Sequence, residues 1–372
     1  MSEKIKVLIA DDSRLTRRLL RKLLESDPRI EVIDEASNGE EAVRKAIDLS
    51  PDVIIMDVVM PKMDGITAIK EILKNRPIPI IVFSSITQEG SKATLDALEA
   101  GALEVIPKPG GTPIPTSLSE IKNELLRKVR VLATIGKAKL IARGVRASVA
   151  IPKVVVPKIK PVTEEPAPVV AFIAASTGGP QTLMRVVPKI SARIRAATLI
   201  VQHMPPLFTK SLAERLDRAS QIRVKEAEEG DEVLVGHGYL APGGYHMIVK
   251  VRRGKPVIEL NKGPKVHGVR PAADVTMKSI AEVWGPATVA AVLTGMGCDG
   301  AEGAAAIKAR GGYVIAQDEE TSIVWGMPKA VVERGLADAV LPVDRIGDEI
   351  NRVLRLKLRR CPIKWAGVIV RG

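Results

Sequence analysis

The sequence predicts an α/β protein in which two domains are each built around a mainly parallel β-sheet. Its 372 residues are more than one ordinary domain holds and enough for two hydrophobic cores. Short apolar runs alternate with amphipathic segments of helical period over residues 1–135 and again over 169–358. Residues 136–168 are rich in proline and in basic side chains, as expected of a linker. We therefore predict a (βα)₅ domain, a linker, a doubly wound α/β domain and a tail over residues 359–372.

The first array has five predicted strands that are separated by helical segments. The strands are Lys6–Ala10, Glu31–Ala36, Val53–Asp57, Ile80–Ser84 and Glu104–Pro107. Leu15–Glu25 and Gly39–Asp48 are predicted helices, because their apolar side chains recur on one face. A further helix over Leu118–Thr134, with Ser117 or Ser119 as its N-cap, closes the domain. Because strands and helices alternate, we expect a parallel sheet with helices on both faces.

The second array shows the same alternation. Its clearest strands are Val169–Ala175, Ala197–Gln202, Ala287–Leu293, Tyr313–Ala316 and Ala339–Leu341. The stretch Gly230–Gly268 is rich in glycine and proline, so we predict hairpins and loops there, at one side of the sheet. The basic run Arg352–Arg360 fits a solvated helix or a docking site, and the sequence leaves both readings open.

The composition excludes several classes of protein. The two cysteines, Cys298 and Cys361, cannot form a disulfide framework and lack the spacing of a zinc site, which indicates a reducing compartment. Residues 1–10 lack the basic region and the cleavage site of a secretory leader. The longest apolar runs are far shorter than the roughly 20 residues that a membrane-spanning helix needs. We predict a cytoplasmic protein without membrane insertion.

The formal net charge of +13 is compatible with nucleic-acid binding but does not require it. The basic residues are spread over predicted helices and concentrated in the linker and near the C-terminus. With three Trp, three Tyr and three Phe, the chain offers no aromatic interleaving on which bases would stack. We therefore predict no nucleic-acid partner, and interpret the charge as solvated helix faces or attraction to an acidic protein.

Polar side chains with complementary chemistry follow the strands of the first domain. Asp11 and Asp12 follow the first strand, Asp57 ends the third, and Lys108 follows the fifth. Because the carboxyl ends of parallel strands share one edge of the sheet, we expect these side chains to converge. Clustered carboxylates supply the oxygen ligands that Mg²⁺ prefers. The metal ion and the Lys108 ammonium would offset charge on a phosphoryl group that the Asp57 carboxylate attacks.

These residues resemble the receiver domain of two-component response regulators, which has a flavodoxin-like (βα)₅ fold. The resemblance covers the first third of the chain and rests on Asp11-Asp12, the turn Asp57–Gly65, Ser84-Ser85 and Lys108-Pro109. It implies that Asp57 is the phospho-acceptor and that Ser84 and Lys108 sense the phosphoryl group. It also implies a Mg²⁺ site for phosphorylation, and the predicted ligands are Asp11, Asp12, Asp57 and the backbone carbonyl of Val59.

A second set of reactive residues follows strands of the second domain. Ser176 follows Val169–Ala175 and precedes two glycines and a proline, a pattern that permits a sharp strand-to-helix turn. His203 follows the next strand, and Asp299 lies in a glycine-rich loop after Ala287–Leu293. Serine, histidine and aspartate at one sheet edge are the components of a hydrolytic triad. By itself the Gly-Gly turn would also fit a plain turn or a phosphate-binding loop.

In the predicted mechanism, Ser176 attacks an acyl carbon, His203 takes its proton, and Asp299 orients the imidazole. The chain order Ser–His–Asp differs from that of α/β-hydrolases, which indicates a separate lineage of serine hydrolases. Histidine is scarce, so few residues could be the base. The other three, His237, His246 and His267, lie in glycine-rich segments where we expect surface loops.

The whole chain resembles the chemotaxis protein-glutamate methylesterases. The resemblance rests on Ala174–Gly179, Gln202–Pro205, Ala241–Gly243, Arg270–Asp274 and Leu293–Gly300. It implies a phosphorylation-activated serine hydrolase that removes methyl groups from glutamate methyl esters of chemoreceptors, with glutamine deamidation in some members. It further implies a histidine kinase as phosphodonor and no cofactor for ester hydrolysis. Ser176, His203 and Asp299 are the expected catalytic residues, Thr177 and the Met296 backbone are expected to shape the oxyanion site, and Cys298 is expected to be a small buried residue.

Two other functions remain to be compared with this one. A receiver fused to a nucleic-acid-binding domain would need a recognition helix after a short turn, and the surroundings of Glu214–Arg218 show no such pair. Salt-sensitive duplex binding would support that alternative. A docking module without catalysis is the third reading, and an active Ser176 would argue against it.

Overall fold

The computed structural model describes residues 3–85, 87–109, 117–135, 164–360 and 362–365. Contacts divide the chain into two compact units, Met1–Pro152 and Lys153–Gly372. Most of the predicted linker, residues 136–163, lies outside the described residues. Within the described ranges, no helix combines the length and the apolar character that crossing a bilayer requires.

The first unit is a five-stranded parallel sheet with the strand order β2-β1-β3-β4-β5. Its strands are β1 (Ile5–Ala10), β2 (Ile30–Ala36), β3 (Val53–Met56), β4 (Ile80–Ser84) and β5 (Glu104–Pro107). Its helices are α1 (Arg14–Leu24), α2 (Gly39–Leu49), α3 (Gly65–Asn75), α4 (Gln88–Glu99) and α5 (Leu118–Ala133). The predicted (βα)₅ arrangement is therefore confirmed.

Local sequence sets where these helices begin. The Ser13 side chain accepts a hydrogen bond from the Thr16 N–H at the start of α1. Ser117 caps α5 and forms a reciprocal capping box with Glu120. Of the two caps that the sequence allowed for α5, Ser117 is the one used. Such caps satisfy backbone N–H groups that a helix cannot bond internally.

The second unit has a seven-stranded parallel sheet with the order β14-β13-β12-β6-β7-β9-β8. Its strands are β6 (Val169–Ala175), β7 (Ala196–Gln202), β8 (Arg223–Glu226), β9 (His237–Leu240), β12 (Thr288–Val292), β13 (Tyr313–Gln317) and β14 (Ala339–Leu341). The strands β10 (His246–Arg252) and β11 (Lys255–Asn261) form a separate antiparallel hairpin. The helices are α6 (Gly179–Val186), α7 (Phe208–Ala219), α8 (Ala273–Trp284), α9 (Ala301–Ala309), α10 (Met327–Glu333) and α11 (Val343–Arg360). The prediction of a doubly wound, mainly parallel domain is confirmed.

One prediction for this unit was wrong in part. The stretch Gly230–Gly268 does contain a hairpin, but it also contains β9, which pairs in parallel with both β7 and β8 inside the main sheet. The short segment His237–Leu240 includes a glycine and has no long apolar run, so the sequence pattern for a strand is weak there. Its pairing with the buried strand β7 supplies the order that local propensity lacks.

The two ends of the second unit pack against each other. The carbonyl of Ala167 accepts hydrogen bonds from the indole N–H groups of Trp284 and Trp365, both at 2.9 Å. Ile363 N–H donates to the carbonyl of Pro168 at 2.9 Å. Helix α11 continues to Arg360, two residues past the predicted end of the domain at 358, and buries one side through residues such as Ile346 and Ile350.

Candidate active site and phosphoryl-acceptor site

The acidic residues of the first unit converge around one lysine. Lys108, directly after β5, places its ammonium 2.6 Å from Asp57 Oδ2 and 2.8 Å from Asp11 Oδ2. Asp11 follows β1 and Asp57 follows β3, which are neighbours in the sheet. Both carboxylates are buried, with 1% and 6% of their surface exposed. The expected meeting of strand ends is therefore present in this unit.

Three carboxylates in this cluster could hold a divalent cation. One oxygen from each of Asp11, Asp12 and Asp57 lies within 4.8 Å of the others. Asp12 is exposed, so the cluster opens to solvent on its side. Carboxylate oxygens suit Mg²⁺, which keeps several waters and takes few protein ligands. The carbonyl of Val59 as a further ligand stays a prediction.

The charges in this cluster are not balanced. Burial raises the pKa of Asp57, and the nearby Asp11 carboxylate adds to the rise against the opposing effect of Lys108. Burial alone would lower the pKa of Lys108, but its hydrogen bonds to Asp11 and Asp57 outweigh that effect and raise it. The ammonium thus stays charged and faces more than one carboxylate, which favours an added cation.

Two further residues lie near Asp57 at this end of the sheet. Ser84 ends β4, next to β3, and 2% of its surface is exposed. Gly65 begins α3, and a Cβ there would lie 2.0 Å from the backbone oxygen of Asp57. A glycine is therefore needed at this position for the helix to approach the backbone of Asp57.

The serine and histidine of the second unit lie at the ends of adjacent strands. Ala175 pairs with Gln202 across β6 and β7, and Ser176 and His203 are the next residue of each strand. His203 N–H donates to the carbonyl of Ala175 at 3.1 Å, which continues the ladder. Because parallel pairing keeps the two chains in register, Ser176 and His203 are adjacent at this edge of the sheet.

Asp299 reaches this pair from the loop after β12, the strand on the other side of β6. The Nε2 atom of His203 lies 2.7 Å from Asp299 Oδ2. The Ala273 N–H donates to Oδ2 at 2.6 Å and the Asp274 N–H to Oδ1 at 2.9 Å, both from the start of α8. Burial would raise the pKa of Asp299, but the hydrogen bonds from His203 and this helix outweigh it and lower the pKa. The carboxylate therefore stays ionised.

A buried amide holds the backbone of both strand ends. The Gln202 side-chain nitrogen donates to the carbonyls of Ser176 and His203 at 2.9 and 3.3 Å. A Cβ at Gly179 would lie 1.9 Å from Gln202 Oε1, so this glycine makes room for the amide. Sequence reasoning assigned Gln202 no role. The sequence signal that could have identified it is a long polar side chain at the end of the mostly apolar strand Ala196–Gln202.

The loop after β12 also passes close to the serine. A Cβ at Gly295 would lie 2.8 Å from the Cβ of Ser176. Thr177 and Met296, the residues after Ser176 and Gly295, are both buried, and the Thr177 carbonyl accepts a hydrogen bond from Thr294 Oγ1 at 2.9 Å. Their roles in an oxyanion site stay predictions.

Two expectations about this unit were wrong. His246 lies in β10 with 2% of its surface exposed and His237 lies in β9, so neither is on a surface loop, and the Nε2 atom of His246 contacts the carbonyl of Pro264. Cys298 is exposed, not buried. Gly297 has a φ of +82°, and the turn it forms carries residue 298 outward before Asp299 enters the interior.

Comparisons with known proteins agree over nearly the whole chain. The family model described as CheB methylesterase matches residues 171–350, and that of the response regulator receiver domain matches residues 7–113. Proteins named protein-glutamate methylesterase/protein-glutamine glutaminase from Pyrococcus horikoshii and Pyrococcus abyssi are each 48% identical to this chain. These alignments cover 96% and 95% of this chain, and 95% and 94% of the relatives. The crystal structure of the Thermotoga maritima CheB methylesterase catalytic domain is 47% identical, covering 50% of this chain and 98% of that one with a TM-score of 0.49.

Proposed function

This chain belongs to the family of protein-glutamate methylesterases/protein-glutamine glutaminases, and on that premise we propose that it demethylates chemoreceptors under the control of its receiver domain. The substrate is a glutamate methyl ester on a chemoreceptor, and the products are methanol and the free carboxylate. Because the methylated glutamates of chemoreceptors lie in the cytoplasmic part of the receptor, we propose that the enzyme works in the cytoplasm. Deamidation of glutamine would use the same site, with ammonia as the leaving group.

The proposal assigns each proton to an atom of the second unit. Because His203 Nε2 is bonded to Asp299, Nδ1 is the ring nitrogen that takes the proton from Ser176. The Ser176 oxygen attacks the acyl carbon, and the imidazolium returns the proton to the departing methanol. Water then repeats the sequence on the acyl-enzyme and releases the carboxylate. Asp299 remains ionised throughout and stabilises the imidazolium.

One observation carries this assignment. The 2.7 Å contact between His203 and Asp299 joins residues that follow β7 and β12, the two strands on either side of β6, and Ser176 directly follows β6. Backbone N–H groups at the start of a helix fix the carboxylate, so the histidine has a defined orientation before substrate arrives.

For regulation, we propose that a histidine kinase donates a phosphoryl group to the Asp57 carboxylate. The residues that would hold Mg²⁺ are Asp11, Asp12, Asp57 and the carbonyl of Val59, and the ion would neutralise charge on the transferring group. Lys108 provides a second positive charge at the same place. Ser84, at the end of the neighbouring strand, is the residue we assign to sensing the phosphoryl group.

Methanol release from methylated receptor tests the assignment of the base. We expect His203→Ala to reduce the rate by at least about 10³-fold, because the nucleophile loses its proton acceptor. His237→Ala is the matched control, since His237 lies in β9 and its ring contacts the carbonyl of Val235. Full activity in His203→Ala, or a loss confined to His237→Ala, would move the base to another residue.

A further inference from the structure

A second row of reactive side chains lies beside Asp299. The Sγ atom of Cys298 is 3.7 Å from Nδ1 of His267, and Nε2 of His267 is 2.7 Å from Asp274 Oδ2. A thiol, an imidazole and a carboxylate are thus in contact in that order. The side chains of His267, Asp274 and Asp299 also place one ligand atom each within 4.8 Å of the others. The row is therefore next to the His203–Asp299 pair, and the Asp274 N–H connects the two by donating to Asp299 Oδ1.

The carboxylate of this row is rigidly held. Asp274 Oδ1 accepts the Gly300 N–H at 2.9 Å and the Gly303 N–H at 2.7 Å, both from the start of α9. Only 2% of Asp274 is exposed. Its Oδ2 atom is left to bond His267, which fixes the ring with Nε2 toward the carboxylate and Nδ1 toward the sulfur. This is the arrangement in which a carboxylate orients a histidine base toward a nucleophile.

The thiol end of the row is open to solvent. Cys298 is exposed, and 34% of the His267 side chain is accessible. His267 also has a φ of +53°, in the left-handed region that is uncommon for residues other than glycine. A cysteine that is accessible and next to a base meets the two conditions for a reactive thiol.

We propose that Cys298 is a modification site that accepts a low-molecular-weight disulfide and thereby switches off the hydrolytic site. His267 takes the thiol proton on Nδ1, and the thiolate attacks one sulfur of the disulfide. A new S–S bond forms on Cys298 as the old one breaks. The departing thiolate leaves with the electron pair of the broken bond and takes the proton back from His267, so atoms and electrons balance.

The inhibitory half of this inference rests on the proposed esterase function. Residue 298 is bonded directly to Asp299, whose carboxylate must remain on His203 for hydrolysis. A group attached to Cys298 would crowd the loop that carries Asp299, and a displacement of even about 1 Å at a catalytic group costs a large part of the rate. Cys298 itself takes no part in ester hydrolysis.

The reactivity can be measured without the esterase. We would use the full chain with Cys361→Ala, which leaves Cys298 as its one thiol, and an aromatic disulfide whose released thiolate absorbs visible light. His267→Ala and the more conservative His267→Gln should slow the release about tenfold or more, because the base is lost. His237→Ala should leave it unchanged. Equal rates in the parent and in both His267 variants, with thermal unfolding unchanged, would overturn the proposal.

A second readout then tests the switch. Ester hydrolysis should fall to about a tenth or less as the coloured thiolate is released, and an added thiol reductant should restore it. Cys298→Ala should hydrolyse the ester at the parent rate and resist the disulfide. Full activity of the modified parent would overturn the switch. If the unmodified parent shows no hydrolysis, the proposed function has failed, whereas the thiolate release still decides the reactivity of Cys298.

Discussion

Asp57 and Asp299 are both buried carboxylates at the carboxyl ends of parallel strands, yet their pKa values move in opposite directions. Burial raises the pKa of Asp57, and the Asp11 carboxylate beside it reinforces that rise. Burial acts in the same way on Asp299, but His203 and two backbone N–H groups more than offset it. Asp57 directly follows β3 and Asp299 lies in the loop after β12, and both are buried, so the local partners decide the direction of the pKa shift.

The two environments suit different tasks. Asp57 shares the single ammonium of Lys108 with Asp11, so its site has surplus negative charge that a cation would relieve. Asp299 has its own histidine and the N-terminus of α8, while the adjacent Asp274 is paired with His267. The Asp57 site is suited to gain and lose a charged group, whereas the Asp299 site is suited to keep its charge unchanged. Substitutions can test each half of this contrast.

The largest effect is expected from Ser176→Ala. Without the nucleophile, the oriented His203–Asp299 pair has nothing to activate, so ester hydrolysis should fall by on the order of 10⁴ to 10⁶. The measurement is methanol release from methylated receptor, with thermal unfolding as the control for folding. Activity within about tenfold of the parent would show that Ser176 is not the nucleophile of ester hydrolysis.

Asp299→Asn should have the next largest effect, with a loss on the order of 10⁴ in rate. The amide keeps the shape of the side chain but no longer stabilises a charged His203, and it cannot accept every hydrogen bond that the carboxylate accepts. The measurement is methanol release from methylated receptor, and thermal unfolding checks that the variant is folded. Hydrolysis at the parent rate in a folded variant would contradict the role of Asp299.

The receiver site should respond differently. Asp57→Asn should take up no label from a small phosphodonor, and EDTA should prevent labelling of the parent, because the carboxylate cluster needs a cation. Hydrolysis without donor should be the same in Asp57→Asn as in the parent and should be insensitive to EDTA. Label that persists in Asp57→Asn would place the acceptor elsewhere. Hydrolysis that EDTA abolishes would show that the hydrolytic site also needs a cation, which would contradict the difference drawn between the two sites.

The smallest effects concern the glycines that bring backbone close to each site. A Cβ at Gly65 would lie 2.0 Å from a backbone oxygen of Asp57, whereas a Cβ at Gly179 would meet the side-chain amide of Gln202 at 1.9 Å. Overpacking costs about 1–3 kcal/mol in the free energy of unfolding. We expect Gly65→Ala to be the costlier change, since a side chain can rotate and a strand end cannot. Calorimetry of the two unfolding transitions would measure both, and a larger cost at Gly179 would contradict this reasoning.

Much of the fold could be predicted because its central strands are continuous apolar runs. Val169–Ala175 and Ile80–Ser84 were predicted with the bounds that the structure has, since their burial on both faces leaves a clear pattern. Strand β9 was not, because His237–Leu240 becomes a strand through pairing rather than through its own pattern. The meeting of Asp274 with His267, and of Gln202 with two carbonyls, depends on tertiary contacts that spacing does not encode.

The most direct test of the account is methanol release from methylated receptor by the full chain, with and without a small phosphodonor and Mg²⁺. We expect the donor to raise the rate in the parent, to leave Asp57→Asn at the parent's basal rate, and to have no effect on Ser176→Ala, which stays inactive. A parent that takes up label on Asp57 but hydrolyses the ester at the same rate with and without donor would contradict control of the esterase by its receiver domain.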